Sequence, residues 1–279
     1  MRLCSFKTDD GSRYGVIGAG GGIVDLTEPL GDRFSTLLKL IEAGAVEETR
    51  PFVDQETPDY QEGEVTYLPL YEEHVDIHCV GLNYAAHTAE AEMIQPDYPR
   101  TFIKTRSALV GHGVDYEMPA ISDHYDFEGE LAVIIGREAR NVGAADAWDY
   151  VLGFSCFQDG SVRDFQQRTT TQGKTFEKSS SIGPCIVTRD DVGEIDSLTL
   201  ETLLNGERVQ YTTFDRMIFS VPATIEYITH MSRLNPGDII ATGTPEGVGF
   251  KRKPPLFLKK GDRVDVVIEK VGTLSNTVA

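Results

Sequence analysis

The chain has 279 residues, of which 40% are hydrophobic and 25% charged, the balance of an ordinary globular protein long enough to bury a sizeable core. A formal net charge of −18 disfavours nucleic acid or an anionic membrane surface as partner, and no apolar run approaches the ~20 residues that span a bilayer. The first residues lack the apolar stretch of a signal peptide. The four cysteines (Cys4, Cys79, Cys156 and Cys185) are scattered without a CxxC pair, so a cytoplasmic protein with reduced thiols is expected.

Along the chain, Arg13–Ile17 and Ile23–Leu26 read as two short strands around the turn Gly18-Ala19-Gly20-Gly21-Gly22. Gly18 and Gly20 satisfy the first half of a dinucleotide-binding GxGxxG, but position 23 is Ile and opens a strand-like segment rather than a helix, so a hairpin is the reading. Phe34–Ala43 carries Leu37, Leu38, Leu40 and Ile41 on one side, with Gly44 placed to end a helix. The polar stretch from Glu47 to Glu64 reads as a linker. It gives a small N-terminal α/β domain over residues 1–70 and a second domain over 71–279. The second domain is dominated by strands: "VDIHCVGL", "LAVIIG", "VLGFSCF", "GPCIVT", "GDIIATG" and "DRVDVVIEKVG". One helix follows Asn83-Tyr84, and another begins near Pro222 and stops before Asn235-Pro236-Gly237. Strands that do not alternate regularly with helices suit an α+β class.

The stretch "DFEGELAVIIG" places Glu128 and Glu130 at the mouth of an apolar strand. Residues i and i+2 project to one side, and Gly129 between them leaves room for a close approach. Taken alone, Glu-x-Glu is in most proteins an exposed edge with two solvated acids or a pair neutralised by arginine. A third acid, Asp159, ends the run Val151–Gln158. Three convergent carboxylates with no adjacent His or Cys favour a hard divalent ion, Mg2+ or alternatively Mn2+ or Ca2+, over zinc.

Seven segments, "GLNYAAHTAE", "FIKTRSALVG", "DFEGELAVIIG", "QDGSVRDFQ", "GKTFEKSSSIGP", "MIFSVPATIEYI" and "GDIIATGTPEGVG", occur in this order over residues 81–249. Together they resemble the fumarylacetoacetate hydrolase family. The resemblance implies a mixed β-sandwich roll, a homodimer, a Mg2+ or similar ion held by Glu128, Glu130 and Asp159, and a small anionic 2-oxo or 2,4-dioxo acid as substrate. It also implies a lid dyad of His87 and Glu90, which share a helix face three residues apart, for activating water. Lys174 matches the active-site lysine that stabilises an oxyanion. Arg163, Gln166 and Thr244 match positions lining the substrate site; Thr242 to Pro245 match a turn offering N–H and hydroxyl groups to the substrate carboxylate. Lys104 falls in the family's "F-x-K" segment, and Arg106 or Arg168 is a candidate for a second substrate carboxylate. One departure is visible: Gln158-Asp159-Gly160 stands where the family commonly reads Asn-Asp-Val.

The implied function is a Mg2+-dependent hydrolase that cleaves the C–C bond of an acylpyruvate-type 2,4-dioxo acid through a stabilised enolate. The alternative on the same scaffold is a decarboxylase or isomerase of an oxaloacetate-like or 2-hydroxydienedioate acid. An inactive metal-binding module would be expected to have lost part of the triad, the lysine or the dyad, and all are retained.

Overall fold

A computed structural model describes residues 1–18, 20–54 and 57–279; Ala19 of the glycine turn and Gln55 and Glu56 of the expected linker lie outside these. The strands and helices that matter here are β1 (Arg2–Thr8), β2 (Gly11–Ile17), β3 (Ile23–Asp25), α1 (Leu37–Glu42), β4 (Ile77–Gly81), α2 (Ala85–Glu90), β5 (Arg100–Lys104), β6 (Gly129–Ile135) and β7 (Val151–Gln158). They continue with α3 (Arg163–Gln166), α4 (Thr170–Lys174), β8 (Ser180–Thr188), β9 (Thr199–Leu204), β10 (Glu207–Thr213), α5 (Val221–Met231), β11 (Ile239–Ala241), β12 (Arg263–Ile268) and β13 (Gly272–Thr277).

Among the described residues the strands form a large mixed sheet ordered β3-β2-β1-β8-β7-β6-β11-β4-β5, with two short strands attached, a separate antiparallel sheet ordered β10-β9-β12-β13, and a two-stranded pairing of Tyr125–Asp126 with Ser161–Val162. The β4–β11 pair is parallel, whereas β6 pairs antiparallel with both β7 and β11. Every residue of β6 and β8 is buried, which is why these strands read as unbroken apolar runs rather than alternating ones. Alternation still sorts β6 between two cores. Leu131, Val133 and Ile135 pack with Leu200, Ile225 and Val266, while Ala132 and Ile134 face Leu37, Ile41 and Ile239.

The N-terminal segment joins this sheet by main-chain pairing, with Arg2 opposite Val187 and Leu3 opposite Ile186. Its Leu3, Tyr14 and Leu37 share a core with Ile134 and Ile186, so side chains from both sides of residue 70 pack together. The predicted helix Phe34–Ala43 is shorter, because the Thr36 hydroxyl caps it by accepting from Lys39 N (3.3 Å) and Gly44, at φ +66°, turns the chain out. The polar stretch expected as a linker contains helical turns at Val46–Thr49, Arg50–Val53 and Glu62–Glu64. The strands β1, β5, β9, β10 and β13 lie outside the runs expected from the sequence.

The start of α2 is clamped by Asn83, a fully buried side chain. Its Oδ1 accepts from Phe219 N (2.8 Å), and its Nδ2 donates to Phe219 O (3.1 Å) and Thr242 O (2.8 Å). Buried amide bonds of this kind are costly to leave half-made. Asn83→Ala is expected to lower unfolding free energy by about 2–4 kcal/mol in a denaturant titration; a loss below about 1 kcal/mol would show that the clamp is dispensable.

Candidate active site

The two ends of β6 and β7 bring the acids together. Carboxylate oxygens of Glu128, Glu130 and Asp159 lie within 4.8 Å of one another, and all three residues are buried. Glycine between the first two is required by the second sheet: a Cβ at Gly129 would stand 2.1 Å from Thr202 Oγ1 of β9. The strand mouth is also stitched by hydroxyls, since Thr242 Oγ1 donates to Leu131 O (3.1 Å) and Thr244 Oγ1 to Gly129 O (3.0 Å).

Three buried cations answer these acids. Lys174 Nζ donates to Glu128 Oε2 (2.5 Å) and Asp159 Oδ2 (2.7 Å). Arg163 Nη2 bridges Glu128 Oε1 (2.7 Å) and Asp126 Oδ2 (2.8 Å), while Lys104 Nζ lies 2.8 Å from Asp159 Oδ1. Four carboxylates, counting Asp126, therefore face three cations. The shortfall falls on Glu130: among the described residues no ion pair reaches it, and its Oε2 accepts only the Gly243 amide (2.8 Å).

The electrostatics follow this layout. Burial would raise the Glu128 carboxyl, but Lys174 and Arg163 outweigh it and hold it down to about 2. Burial pushes the Glu130 carboxyl well up, and Asp159 and Glu128 push it further. Burial would lower the Lys174 ammonium, but Asp159 and Glu128 outweigh that and keep it charged. A buried acid that lacks a cation, beside two further carboxylate donors, fits a hard divalent ion. Glu128, Glu130 and Asp159 are the residues to hold it.

Above the acids is a cavity of about 390 Å³. His87 on α2 lines it, and His87 Nδ1 lies 3.6 Å from Glu90 Oε2, longer than an ordinary hydrogen bond. Gly247 N donates to both Glu90 oxygens (3.1 and 3.2 Å). Burial would raise the Glu90 carboxyl, but His87 and the Gly247 amide outweigh it and hold it below its ordinary value.

The structure brings His87, Glu128, Glu130, Asp159, Arg163, Gln166, Lys174 and Thr244 to the cavity, with Glu90 behind His87. It does not bring all the predicted residues there. Lys104 is fully buried behind Asp159, where it also donates to Lys174 O and Ser180 Oγ, and it does not line the cavity. Arg106 follows the end of β5 in a separate turn and donates from Nε to Tyr71 O (2.9 Å). Arg168 stacks on the Phe165 ring at 4.1 Å. The Thr242 and Thr244 hydroxyls are spent on the strand mouth rather than offered to a ligand. Sequence reasoning missed Arg100, Phe102, Phe250 and Lys251, which line the cavity, and Asp126, which anchors Arg163. The departure at position 160 has a local reason: a Cβ there would stand 1.6 Å from Ser179 O.

The fumarylacetoacetate (FAA) hydrolase C-terminal family model matches residues 76–279. The chain belongs to this family. Over 266 residues it is 38% identical to the Rattus norvegicus protein named oxaloacetate tautomerase Fahd2a, mitochondrial, covering 94% of this chain and 85% of that one. It resembles the solved fumarylacetoacetate hydrolase from psychrophilic Exiguobacterium antarcticum with a TM-score of 0.88 and 33% identity, covering 100% and 99% of the two chains. It also resembles maleylpyruvate hydrolase from Sphingobium sp. SYK-6, solved with manganese(II) ion and pyruvate, with a TM-score of 0.80 and 30% identity over 100% and 99% of the chains. Members of the family are thus enzymes that bear both tautomerase and hydrolase names.

The raised Glu130 carboxyl gives a pH signature. A carboxyl whose protonated form is favoured in the ion-free protein must be deprotonated to ligate, so ion binding is expected to release protons and affinity to rise with pH. Calorimetric Mg2+ titrations in buffers of different ionisation enthalpy measure this. A binding constant independent of pH from 5 to 8 would contradict it.

Proposed function

We propose that this protein is a divalent-metal-dependent enzyme that forms the enolate of a small 2-oxo acid, and that its reaction is keto–enol tautomerisation of oxaloacetate or a close diacid. The observation that carries the reading is the buried triad short of one cation, at the floor of a cavity in which His87 is the sole lining imidazole among the described residues. When bound, Mg2+ or Mn2+ supplies a Lewis acid that stabilises negative charge developing on the substrate's keto oxygen.

The chain's own groups supply the rest. His87 takes a proton from the carbon next to the keto group and returns one to the enol oxygen, so no proton is consumed overall. Glu90, fixed by the Gly247 amide, lies 3.6 Å from the imidazole Nδ1 and is placed to orient the ring. Lys174 keeps its charge beside Glu128 and Asp159 and lines the same cavity, which suits it to the enolate oxygen. Arg100 and Lys251 bring two further cations to the cavity, an arrangement suited to a second carboxylate.

The nearly full-length likeness to a protein named oxaloacetate tautomerase supports this order over the hydrolase expected from the motifs. Hydrolysis of an acylpyruvate is the second reading, favoured by the His87–Glu90 approach and by the likeness to maleylpyruvate hydrolase. In it the same imidazole activates water against the distal carbonyl. A module without activity is disfavoured because the triad, Lys174 and His87 all meet at one cavity.

The test is turnover of enol-oxaloacetate, acetylpyruvate and fumarylpyruvate with Mg2+, with Mn2+ and with EDTA. Metal-dependent ketonisation of oxaloacetate is expected, falling by about 100-fold or more in His87→Gln. Cleavage of the acylpyruvates that depends on His87, with oxaloacetate at its EDTA background, would replace the tautomerase by the hydrolase. Release of CO2 from oxaloacetate that survives the substitution would make the protein a decarboxylase.

A further inference from the structure

Asp126 is fully buried, and its carboxylate is saturated by partners from three parts of the chain. Oδ1 accepts from Phe127 N (2.9 Å) and Gly249 N (2.8 Å). Oδ2 accepts from Phe250 N (3.0 Å) and from Arg163 Nε and Nη2 (both 2.8 Å). The turn it anchors sits over the cavity: the Phe250 ring covers the Arg163 guanidinium at 4.2 Å, and Phe250 and Lys251 are lining residues. The fit is close, since a Cβ at Gly249 would stand 2.5 Å from Asp126 Oδ1.

The consequence lies at Glu128. Both of its oxygens meet cations, Oε2 on Lys174 and Oε1 on Arg163, yet Glu128 is one of three residues expected to ligate an ion. Arg163 Nη2 is divided between two carboxylates at nearly equal distances, 2.7 and 2.8 Å. We infer that Asp126 is a positioning residue for the metal: it shares the Arg163 guanidinium with Glu128, so that the cation neutralises Glu128 only in part and leaves charge on that carboxylate for the ion. Without the Asp126 charge the guanidinium has Glu128 as its one full carboxylate partner, and it competes there more strongly with the divalent cation. This rests on the metal-dependent reading above.

The experiment is titration of Mg2+ and of Mn2+ into metal-free protein by isothermal titration calorimetry, so that the readout is affinity and not turnover. Asp126→Asn keeps the shape and one acceptor oxygen but removes the charge. It is expected to weaken both ions by about 10–100-fold, the range typical of groups that support metal ligands. Adding Arg163→Gln removes the competitor and returns the site to its original charge balance, so the double variant is expected within about threefold of wild type. If Asp126 only anchors the Gly249–Lys251 turn, the double variant stays as weak as the single one, and that result overturns the inference. Unchanged affinity in Asp126→Asn does the same. Should the single variant fail to fold, the double variant decides alone: near-wild-type affinity supports the inference and a tenfold loss rejects it. A wild-type protein that binds neither ion would instead remove the metal reading itself.

Discussion

Four carboxylates buried around one point, with three cations to answer them, is the constraint on which the rest of this structure depends. Removing a charge from water costs several kcal/mol even after relaxation, and only well-placed partners offset it. Each of Glu128, Asp159 and Asp126 has such a partner, in Lys174, Lys104 or Arg163. Glu130 has an amide alone. The structure therefore concentrates its electrostatic deficit at one side chain, which is what a site for a divalent cation requires. A symmetric arrangement, with every acid paired, would be more comfortable without an ion and worse at binding one.

Holding that imbalance takes a stiff frame. The acids stand at the ends of β6 and β7, and the apolar remainder of β6 is locked between two cores by strict alternation of its side chains. Threonine hydroxyls and a glycine at the strand mouth remove the slack that would let the carboxylates splay apart. The opposite wall is built differently. In α2 only His87 and Thr88 are buried, and Asn83 at its start and the Glu90–Gly247 contact tie it down. A few hydrogen bonds rather than a packed core make this the part of the site suited to move when substrate enters or leaves. The acid floor is thus held by packed strands and the histidine wall by a few hydrogen bonds.

How much of this was readable from the chain differs by residue, for physical reasons. Glu128 and Glu130 were legible because strand periodicity leaves little freedom over where i and i+2 point. His87 and Glu90 were legible because helix periodicity does the same for i and i+3. Lys104 and Arg106 misled because charge identifies a residue type and not a direction. Alternation along β5 puts Arg100, Phe102 and Lys104 on one side, so tracing the strand back from Lys104 would have led to Arg100 and Phe102, which line the cavity with Thr101 between them. Arg106 lies beyond the strand end, where that logic stops. The pairing of β1 with β8 depends on a register between residues some 180 positions apart, which no local pattern encodes. Asp126 was overlooked for a related reason: its partners at positions 163 and 249–250 are distant in sequence, and its own strand is two residues long.

The same charge accounting bears on why one scaffold carries several reaction names. A divalent ion added to a site one positive charge short leaves it one positive charge over. That surplus favours a bound anion and favours it more as an enolate develops, whichever bond is being made or broken. C–C hydrolysis, decarboxylation and tautomerisation each pass through this anion, so the acid floor and Lys174 serve all of them without distinction. Discrimination must then come from groups that touch the part of the substrate beyond the enolate. On the reading proposed above those groups are His87, as the base for carbon or for water, and Arg100 and Lys251, which line the cavity with charges suited to a second carboxylate. They sit on α2, on β5 and in the turn anchored by Asp126. Changing the reaction while keeping the intermediate therefore needs change only at those groups.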